Sequence, residues 1–267
     1  MDLSPASLAG ASRRNGNHLI ALFDISHHAQ SLGDGRMVKG PGILINARTI
    51  SQAWERAVLA CWKEGLESDT EYGEKAKEIL GLLVTVEEPF SEPRIHKGDM
   101  LVALSDSLQK YLDEIMKGTL DRSVKEGKIH YTYHERLFNY PAYGLDQIDY
   151  IIEKLRKVEF SRRAQAITWD PRRDMWVDSP PCLQTVWCVI RDGRLNMHTT
   201  WRSRDTFRAM HMNMLAMTEL QKMTAGKLNV EVGPYTDFSN SAHIYEKSYS
   251  DVERFLKVLE KRRASST

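Results

Sequence analysis

The chain has 267 residues, 42% of them hydrophobic, which is enough for one large domain with a sizeable core. Its 37 Lys and Arg residues nearly balance 36 Asp and Glu residues, and the net charge of +1 predicts neither a nucleic-acid nor a membrane partner. Three scattered cysteines without a CxxC pair argue against a disulfide framework or a cysteine metal site, and favour a reducing, cytoplasmic compartment.

Residues 1–17 are rich in Ser, Ala and Gly and lack an apolar signal core, which predicts a flexible N-terminal arm. Residues 18–267 are expected to form a single domain. No apolar run approaches the roughly 18 residues of a membrane span.

Hydrophobic periodicity and turn residues predict the elements in chain order. The first half contains a strand over 18–29, a strand over 43–45, a helix from Thr49 or Ser51 to about residue 65, a helix over 73–80, a strand over 82–86 and a helix over 103–117. The second half contains a helix over 146–157, a strand over 164–169, a hairpin of 184–190 and 194–201 around Asp192-Gly193, a methionine-rich helix over 211–224, a strand over 228–232 and a helix over 249–262. These elements predict a mixed α+β domain in which helices pack on a large β-sheet.

Cys182 stands in an unusual setting, between Pro180-Pro181 and the predicted hairpin, with Arg162-Arg163 upstream and Arg202-Ser203 downstream. A cysteine acts as a nucleophile in its thiolate form, which nearby cations favour. The hairpin should return Arg202 to the side of Cys182, and the planar arginine fork pairs well with phosphate oxygens. The pattern predicts a nucleophile beside an anion site. The alternative is a buried structural cysteine near surface arginines, which is our interpretation of Cys61 and Cys188.

Several short motifs together resemble the thymidylate synthase family. They are Arg162-Arg163, Pro181-Cys182, Arg202-Ser203-x-Asp205, Asn213 and His243-x-Tyr245, in the family's order and spacing. The segment Tyr131-Thr132-Tyr133 is similar to the active-site tyrosine segment of the shorter, archaeal-type members. The resemblance is good over 131–255 and weak over 40–130. It implies the family's α+β fold as a single domain, with a large mixed sheet that also mediates a homodimer.

The resemblance also implies a reaction. Cys182 would add to C6 of a pyrimidine nucleoside monophosphate, and C5 would then take a one-carbon unit from 5,10-methylenetetrahydrofolate. Methylation of dUMP to dTMP is the simplest outcome. Hydroxymethylation of dCMP, CMP or dUMP with water is the first alternative, because the tryptophan that shields the intermediate has no clear counterpart and Leu183 replaces the usual histidine. A catalytically silent nucleotide- or RNA-binding homologue is the second.

The family's roles fall on individual residues of this chain. Arg202 and Ser203 would hold the 5′-phosphate, together with Arg162 and Arg163 donated across the homodimer interface. His243 and Tyr245, two apart on one strand, would bind the sugar 3′-hydroxyl. Asn213 can match the O4 acceptor and N3–H donor of uracil.

The remaining roles concern the folate and proton transfer. Asp205 would bind the pterin ring and Tyr133 would order the water used in proton removal. Structural roles stay open as alternatives: a helix-face amide for Asn213, a helix cap for Asp205 and a packed side chain for Tyr133. His134 stands where a glycine is expected, and could deliver water or simply pack. Glu88 is the first choice for the general base, with Glu87 and Glu92 behind it.

Overall fold

A mixed sheet of seven strands forms the centre of the computed structural model, which describes residues 42–97, 105–141 and 143–264. The strands are β1 (Ile43–Ala47), β2 (Leu66–Asp69), β3 (Lys75–Val86), β4 (Gln165–Ile167), β5 (Leu183–Arg191), β6 (Arg194–Asp205) and β7 (Glu231–Tyr245). Their order is β1-β3-β7-β6-β5-β4, with β2 paired to β3. The predicted N-terminal arm and the predicted strand over 18–29 lie outside the described residues.

Helices connect these strands. They are α1 (Ile50–Glu64), α2 (Ser105–Lys117), α3 (Asp121–Lys125), α4 (Tyr133–Phe138), α5 (Gln147–Lys157), α6 (Pro171–Asp174), α7 (Met210–Leu228) and α8 (Tyr249–Ala264). The predicted α+β class, with a large mixed sheet packed by helices, is confirmed. Within the described ranges, no helix combines the length and apolar character needed to cross a membrane.

The two faces of the sheet differ in burial. One row of side chains in register across six strands is buried throughout: Ile45, Val84, Asp237, Thr199, Val186 and Ala166. The neighbouring row points to the opposite face: Leu44, Leu83, Phe238, Thr200, Thr185 and Ile167. In that row Leu44 is 59% exposed and Ile167 is 41% exposed. The core therefore lies on one face, and the described residues leave side chains of the other face exposed in a single chain.

The predicted first helix is confirmed as α1. Thr49 is its N-cap, and its side chain accepts a hydrogen bond from the Gln52 N–H at 3.3 Å. Trp54 and Cys61 of this helix are completely buried. The methionine-rich helix α7 is likewise core filling, since Met214 and Met217 are fully buried.

The helix predicted over 73–80 is wrong. Residues 75–80 instead form the first half of β3, a strand of 12 residues that pairs with both β2 and β7. The Lys and Glu residues of this segment suggested a helix, but Ala76 and Ile79 are buried within the sheet. Pairing with β7, far along the chain, overrides the local preference.

The strand predicted over 228–232 is displaced. Helix α7 continues to Leu228, and Asn229 ends it in the left-handed conformation with a φ of 57°. Strand β7 then begins at Glu231 and runs for 15 residues.

The predicted hairpin is confirmed and brings two distant segments together. Asp192 and Gly193 have φ values of 52° and 70°, the positive values of a type I′ turn, which matches strand twist. Strands β5 and β6 pair from this turn to Leu183 opposite Trp201. The residues just before β5 therefore lie beside the far end of β6.

A buried ion pair fixes the helix that carries Tyr133. Both Nη atoms of Arg136 on α4 contact the carboxylate of Asp174, at 2.7 and 2.9 Å, and Arg136 also donates to the Thr168 carbonyl. Both residues are almost fully buried. We expect Asp174→Ala to lower the free energy of unfolding by about 3–5 kcal/mol, because it leaves the Arg136 charge buried without its partner.

Urea denaturation measures this loss. The control is Glu126→Ala, which removes the partner of Arg122, an arginine with an 88% exposed side chain, and should leave the midpoint unchanged. A loss for Asp174→Ala no larger than for the control would contradict the expectation.

Candidate active site

Cys182 is half-buried in the loop that leads into β5, and Arg202 closes this loop. The Arg202 main-chain N–H donates to the Cys182 carbonyl at 2.9 Å. Its guanidinium donates to the Pro181 carbonyl at 3.0 Å and to the Pro180 carbonyl at 2.8 Å. A guanidinium has five N–H donors, so others stay available to an anion. The hairpin thus returns Arg202 to the side of Cys182.

A recess of about 400 Å³ adjoins this loop on the open face of the sheet. Its lining residues are Ile167, Trp169, Pro171, Gln184, Thr185 and Arg202. The Gln184 side chain donates to the Pro181 carbonyl at 2.8 Å and so joins the recess to the cysteine loop. Arg202 is the cation of this recess, which suits it to an anionic ligand.

Tyr133 lies against the same loop. Its hydroxyl accepts a hydrogen bond from the Leu183 N–H at 3.2 Å, and its ring packs edge-on against Trp201 at 5.9 Å. Burial raises the pKa of Tyr133, and the neighbouring Tyr131 and Cys182 act in the same direction. Tyr133 therefore stays protonated at neutral pH and is a hydroxyl donor beside the thiol.

His134, the next residue, faces away from Tyr133. Its Nδ1 lies 2.7 Å from the Asp121 carboxylate and its ring stacks on Phe138 at 4.8 Å. These contacts fit the packed role that the sequence left open.

His243 and Tyr245 project from the same side of β7, with ring centroids 4.5 Å apart. Asp205 lies directly opposite His243 on β6, and Ser203 lies opposite Ser241. Burial lowers the pKa of His243 and raises the pKa of Asp205, while each charge partly offsets the effect on the other. Asp205 also accepts from the N–H groups of Phe207 and Arg208 through Oδ1, so it caps the turn before α7 as the structural alternative required.

Asn213 is buried in the first turn of α7 and contacts Tyr111, which lies near Tyr131 and Tyr133. Its Nδ2 donates to the Tyr111 hydroxyl at 2.5 Å. Burial raises the pKa of Tyr111, and the proximity of Tyr111 further raises the pKa of Tyr133. Asn213 is therefore linked through Tyr111 to Tyr133, which lies against the Cys182 loop.

Sequence reasoning missed Arg204, the variable position of the Arg202-Ser203-x-Asp205 motif. Arg204 is buried over the Trp201 ring at 3.7 Å and pairs with Asp237 at 2.6 Å. Its Nε and Nη1 and the Asp237 Oδ1 have no hydrogen-bond partner among the described residues. Such unsatisfied buried groups are rare and often mark functional sites.

The structure does not bring Glu88 to Cys182 within one chain. Glu88 is paired with Arg48 at 2.9 Å and bonded by Ser91, and these hydrogen bonds lower its pKa. Its other neighbour is Arg194, at the turn end of β6, roughly 20 Å along the strand from Trp201. A carboxylate with a lowered pKa is also a poor general base near neutral pH.

The two other candidates share the loop of Glu88. Glu87 is fixed by its main chain to Ala47, and the Glu92 carboxylate accepts from the Arg94 N–H. By contrast, burial raises the pKa of Glu114 on α2, and Glu114 acts electrostatically on Tyr111 and Tyr131. Sequence reasoning had no motif that could have found Glu114.

Arg162 and Arg163 lie far from the Cys182 of their own chain. Both are exposed in the turn before β4, and Ala164 accepts from the Cys188 N–H. Cys188 lies six positions after Cys182, a span of roughly 20 Å in an extended strand. The Arg162 carbonyl accepts from the Trp187 indole, a side chain of the open sheet face, so this arginine pair sits at the edge of that face.

Comparisons with known proteins identify the family of the chain. A family model described as thymidylate synthase matches residues 90–265. Three relatives carry the name "Putative thymidylate synthase". The Methanosarcina acetivorans protein is 34% identical over 216 residues, covering 81% of this chain and 95% of the relative. The proteins of Methanothermobacter thermautotrophicus and Methanocaldococcus jannaschii are 32% and 31% identical, over 80% of this chain and 98% and 96% of their own lengths.

The fold and these matches therefore define a one-carbon transferase acting on pyrimidines. The chain belongs to the thymidylate synthase family.

Proposed function

We propose that this protein methylates dUMP to dTMP through a covalent Cys182–C6 adduct. The observation that carries the proposal is the closure of the Cys182 loop by Arg202, which combines a half-buried thiol with a guanidinium next to an open recess. Family membership supports folate-dependent modification of a pyrimidine at C5.

The side chains of the site divide the work of the reaction. The Cys182 thiolate forms a bond from Sγ to C6, and the C5–C6 electron pair moves towards C5 and O4. The Asn213 amide faces O4 and N3, where charge develops. Arg202 and Ser203 hold the 5′-phosphate, and Tyr133 orders water for removal of the C5 proton. Departure of Cys182 then restores the free thiol.

The general base is not assigned to Glu88, because Glu88 lies far from Cys182 in its own chain. His243 and Tyr245 hold the 3′-hydroxyl of the sugar. This contact fixes the nucleotide at the end opposite the base, while Arg202 fixes the phosphate.

The residues near His243 fit the folate co-substrate. Asp205 is a partly exposed carboxylate beside the proposed nucleotide position, and it can accept N–H groups of a pterin ring through the oxygen that does not cap the turn. When bound, methylenetetrahydrofolate would supply both the one-carbon unit and the hydride that reduces it to a methyl group, and it would leave as dihydrofolate.

The active unit in this proposal is a homodimer formed through the open sheet face. The exposed Leu44 and Ile167 of that face support such an interface, because apolar rows on a sheet are normally covered. The arginine pair at its edge would then reach the partner's phosphate site, since it is too distant from the Cys182 of its own chain.

Product mass tests the function. Purified protein is incubated with methylenetetrahydrofolate and, separately, dUMP, dCMP or CMP. We expect dUMP to gain CH₂, because the amide of Asn213 matches the uracil edge. A gain of CH₂O by any of the three nucleotides would mean that the protein is a hydroxymethylase and not a synthase. The missing counterpart of the shielding tryptophan favours this outcome. Nucleotide binding without any gain would indicate a catalytically silent homologue.

A further inference from the structure

Four polar residues surround the buried imidazole of His243. Glu78 on β3 and Asp205 on β6 lie directly opposite His243, one on each side. Ser241 precedes His243 by two residues, and its hydroxyl contacts both the Glu78 carboxylate and, at 3.3 Å, the His243 Nδ1. Tyr245 packs against the ring. The other ring nitrogen, Nε2, is buried without a partner among the described residues.

Hydrogen-bond counting fixes the proton on this imidazole. A serine hydroxyl has one proton, and a carboxylate accepts but does not donate. The Ser241 proton therefore goes to Glu78, and the Ser241 oxygen must accept from Nδ1–H of His243. A hydrogen bond between the ring and the Ser241 main chain also raises the pKa of His243. Since Nε2 has no partner among the residues that the structure describes, this second bond also belongs to Nδ1.

The ring is neutral as well as oriented. Burial lowers the pKa of His243, and this effect outweighs the opposing influence of Asp205 and Glu78. A neutral imidazole with its proton on Nδ1 has a lone pair on Nε2. The buried Nε2 is thus a hydrogen-bond acceptor without a donor in the described part of the chain, and a hydroxyl group of a ligand would supply one.

We propose that Glu78 and Ser241 are positioning residues that hold His243 in its Nδ1–H form, so that Nε2 accepts the sugar 3′-hydroxyl of the nucleotide. The inference rests on the proposed nucleotide-binding function. It adds two residues that do not touch the substrate and that act through the proton on His243. In many sites, the hydrogen-bond partner of one ring nitrogen determines which tautomer the histidine presents to its ligand.

Binding of two matched nucleotides tests whether Glu78 and Ser241 act through His243. The ligands are dUMP and 2′,3′-dideoxyuridine 5′-monophosphate, which lacks the 3′-hydroxyl, and affinities are measured by calorimetry. We expect Ser241→Ala and Glu78→Met to weaken dUMP binding about tenfold and to change dideoxynucleotide binding by less than about twofold. Ser241→Thr and Glu78→Gln keep the hydroxyl and the acceptor oxygen, and should stay within about threefold of the parent protein.

The control is Glu67→Met, a similar change on the neighbouring strand β2, where the carboxylate pairs with Lys75. It should alter neither affinity. Equal weakening of both nucleotides by Ser241→Ala would overturn the proposal, because it would indicate general disruption of the site. Unchanged dUMP affinity would overturn it too.

The tautomer is measured without any ligand. Nitrogen-15 NMR of the imidazole side chains, with His243 assigned from His243→Gln, should show Nδ1–H in the parent protein and lose this preference in Ser241→Ala. If the His243 ring of the parent protein carries its proton on Nε2, the proposal is overturned, regardless of the measured nucleotide affinities. If neither nucleotide binds but His243 is found as Nδ1–H, the proposed function fails. The positioning of His243 by Glu78 and Ser241 then remains as a feature of the fold.

Discussion

Cys182→Ala is expected to lower kcat by roughly 10⁴-fold or more while nucleotide affinity stays within about threefold of the parent. The change removes the sulfur that bonds to C6, but leaves Arg202 and Ser203 to hold the phosphate. Turnover is measured from product formation, and affinity by calorimetry with dUMP. Loss of affinity equal to the loss of kcat would contradict a nucleophilic role, since it would mean that Cys182 mainly shapes the binding site.

The chain offers a matched control on the same strand. Cys188 is fully buried on β5, and burial raises the pKa of its thiol to about 12. At pH 7 such a thiol is thiolate in roughly one molecule in 10⁵, so it cannot replace Cys182. Cys61 is similar, with its pKa raised to about 12. Cys188→Ala should therefore reduce stability and keep kcat; retained turnover in Cys182→Ala would sink the covalent mechanism.

Local signals predicted the parts of the fold that short-range chemistry determines. The Asp192-Gly193 turn and alternating residues on both sides specify the hairpin, and Thr49 specifies the start of α1. Strand β3 was mistaken in part for a helix although its first residues pair with nearby β2, because its long pairing is with β7, whose partner residues lie 149–169 positions away. No local pattern contains that information.

The same limit separates the predicted site residues from the missed ones. Cys182 and Arg202 could be placed together because a hairpin joins them. Glu78 lies in the segment predicted as a helix, so its position opposite His243 could not be foreseen. Glu88 was chosen by its place along the chain, yet the sheet carries it to the turn end of β6, beside Arg48 and Arg194.

Mixing two inactive variants should restore activity if the arginine pair serves the partner's site. The variants are Cys182→Ala and the double variant Arg162→Ala/Arg163→Ala. After subunit exchange, half of the dimers contain one chain of each kind, and one of their two sites has both an intact Cys182 and an intact arginine pair. We therefore expect roughly a quarter of the parent activity, where each variant alone has little.

A second mixture distinguishes arginines donated to the partner's site from a general gain of activity that mixing alone could cause. Cys182→Ala combined with Arg202→Ala should remain inactive, because Arg202 serves the Cys182 of its own chain and every site in the mixed dimer keeps one lesion. Native mass spectrometry verifies that mixed dimers form in both experiments. Mixed dimers of the first pair without activity would place Arg162 and Arg163 outside the site, since the roughly 20 Å within one chain leaves the partner's phosphate site as the one that they could reach.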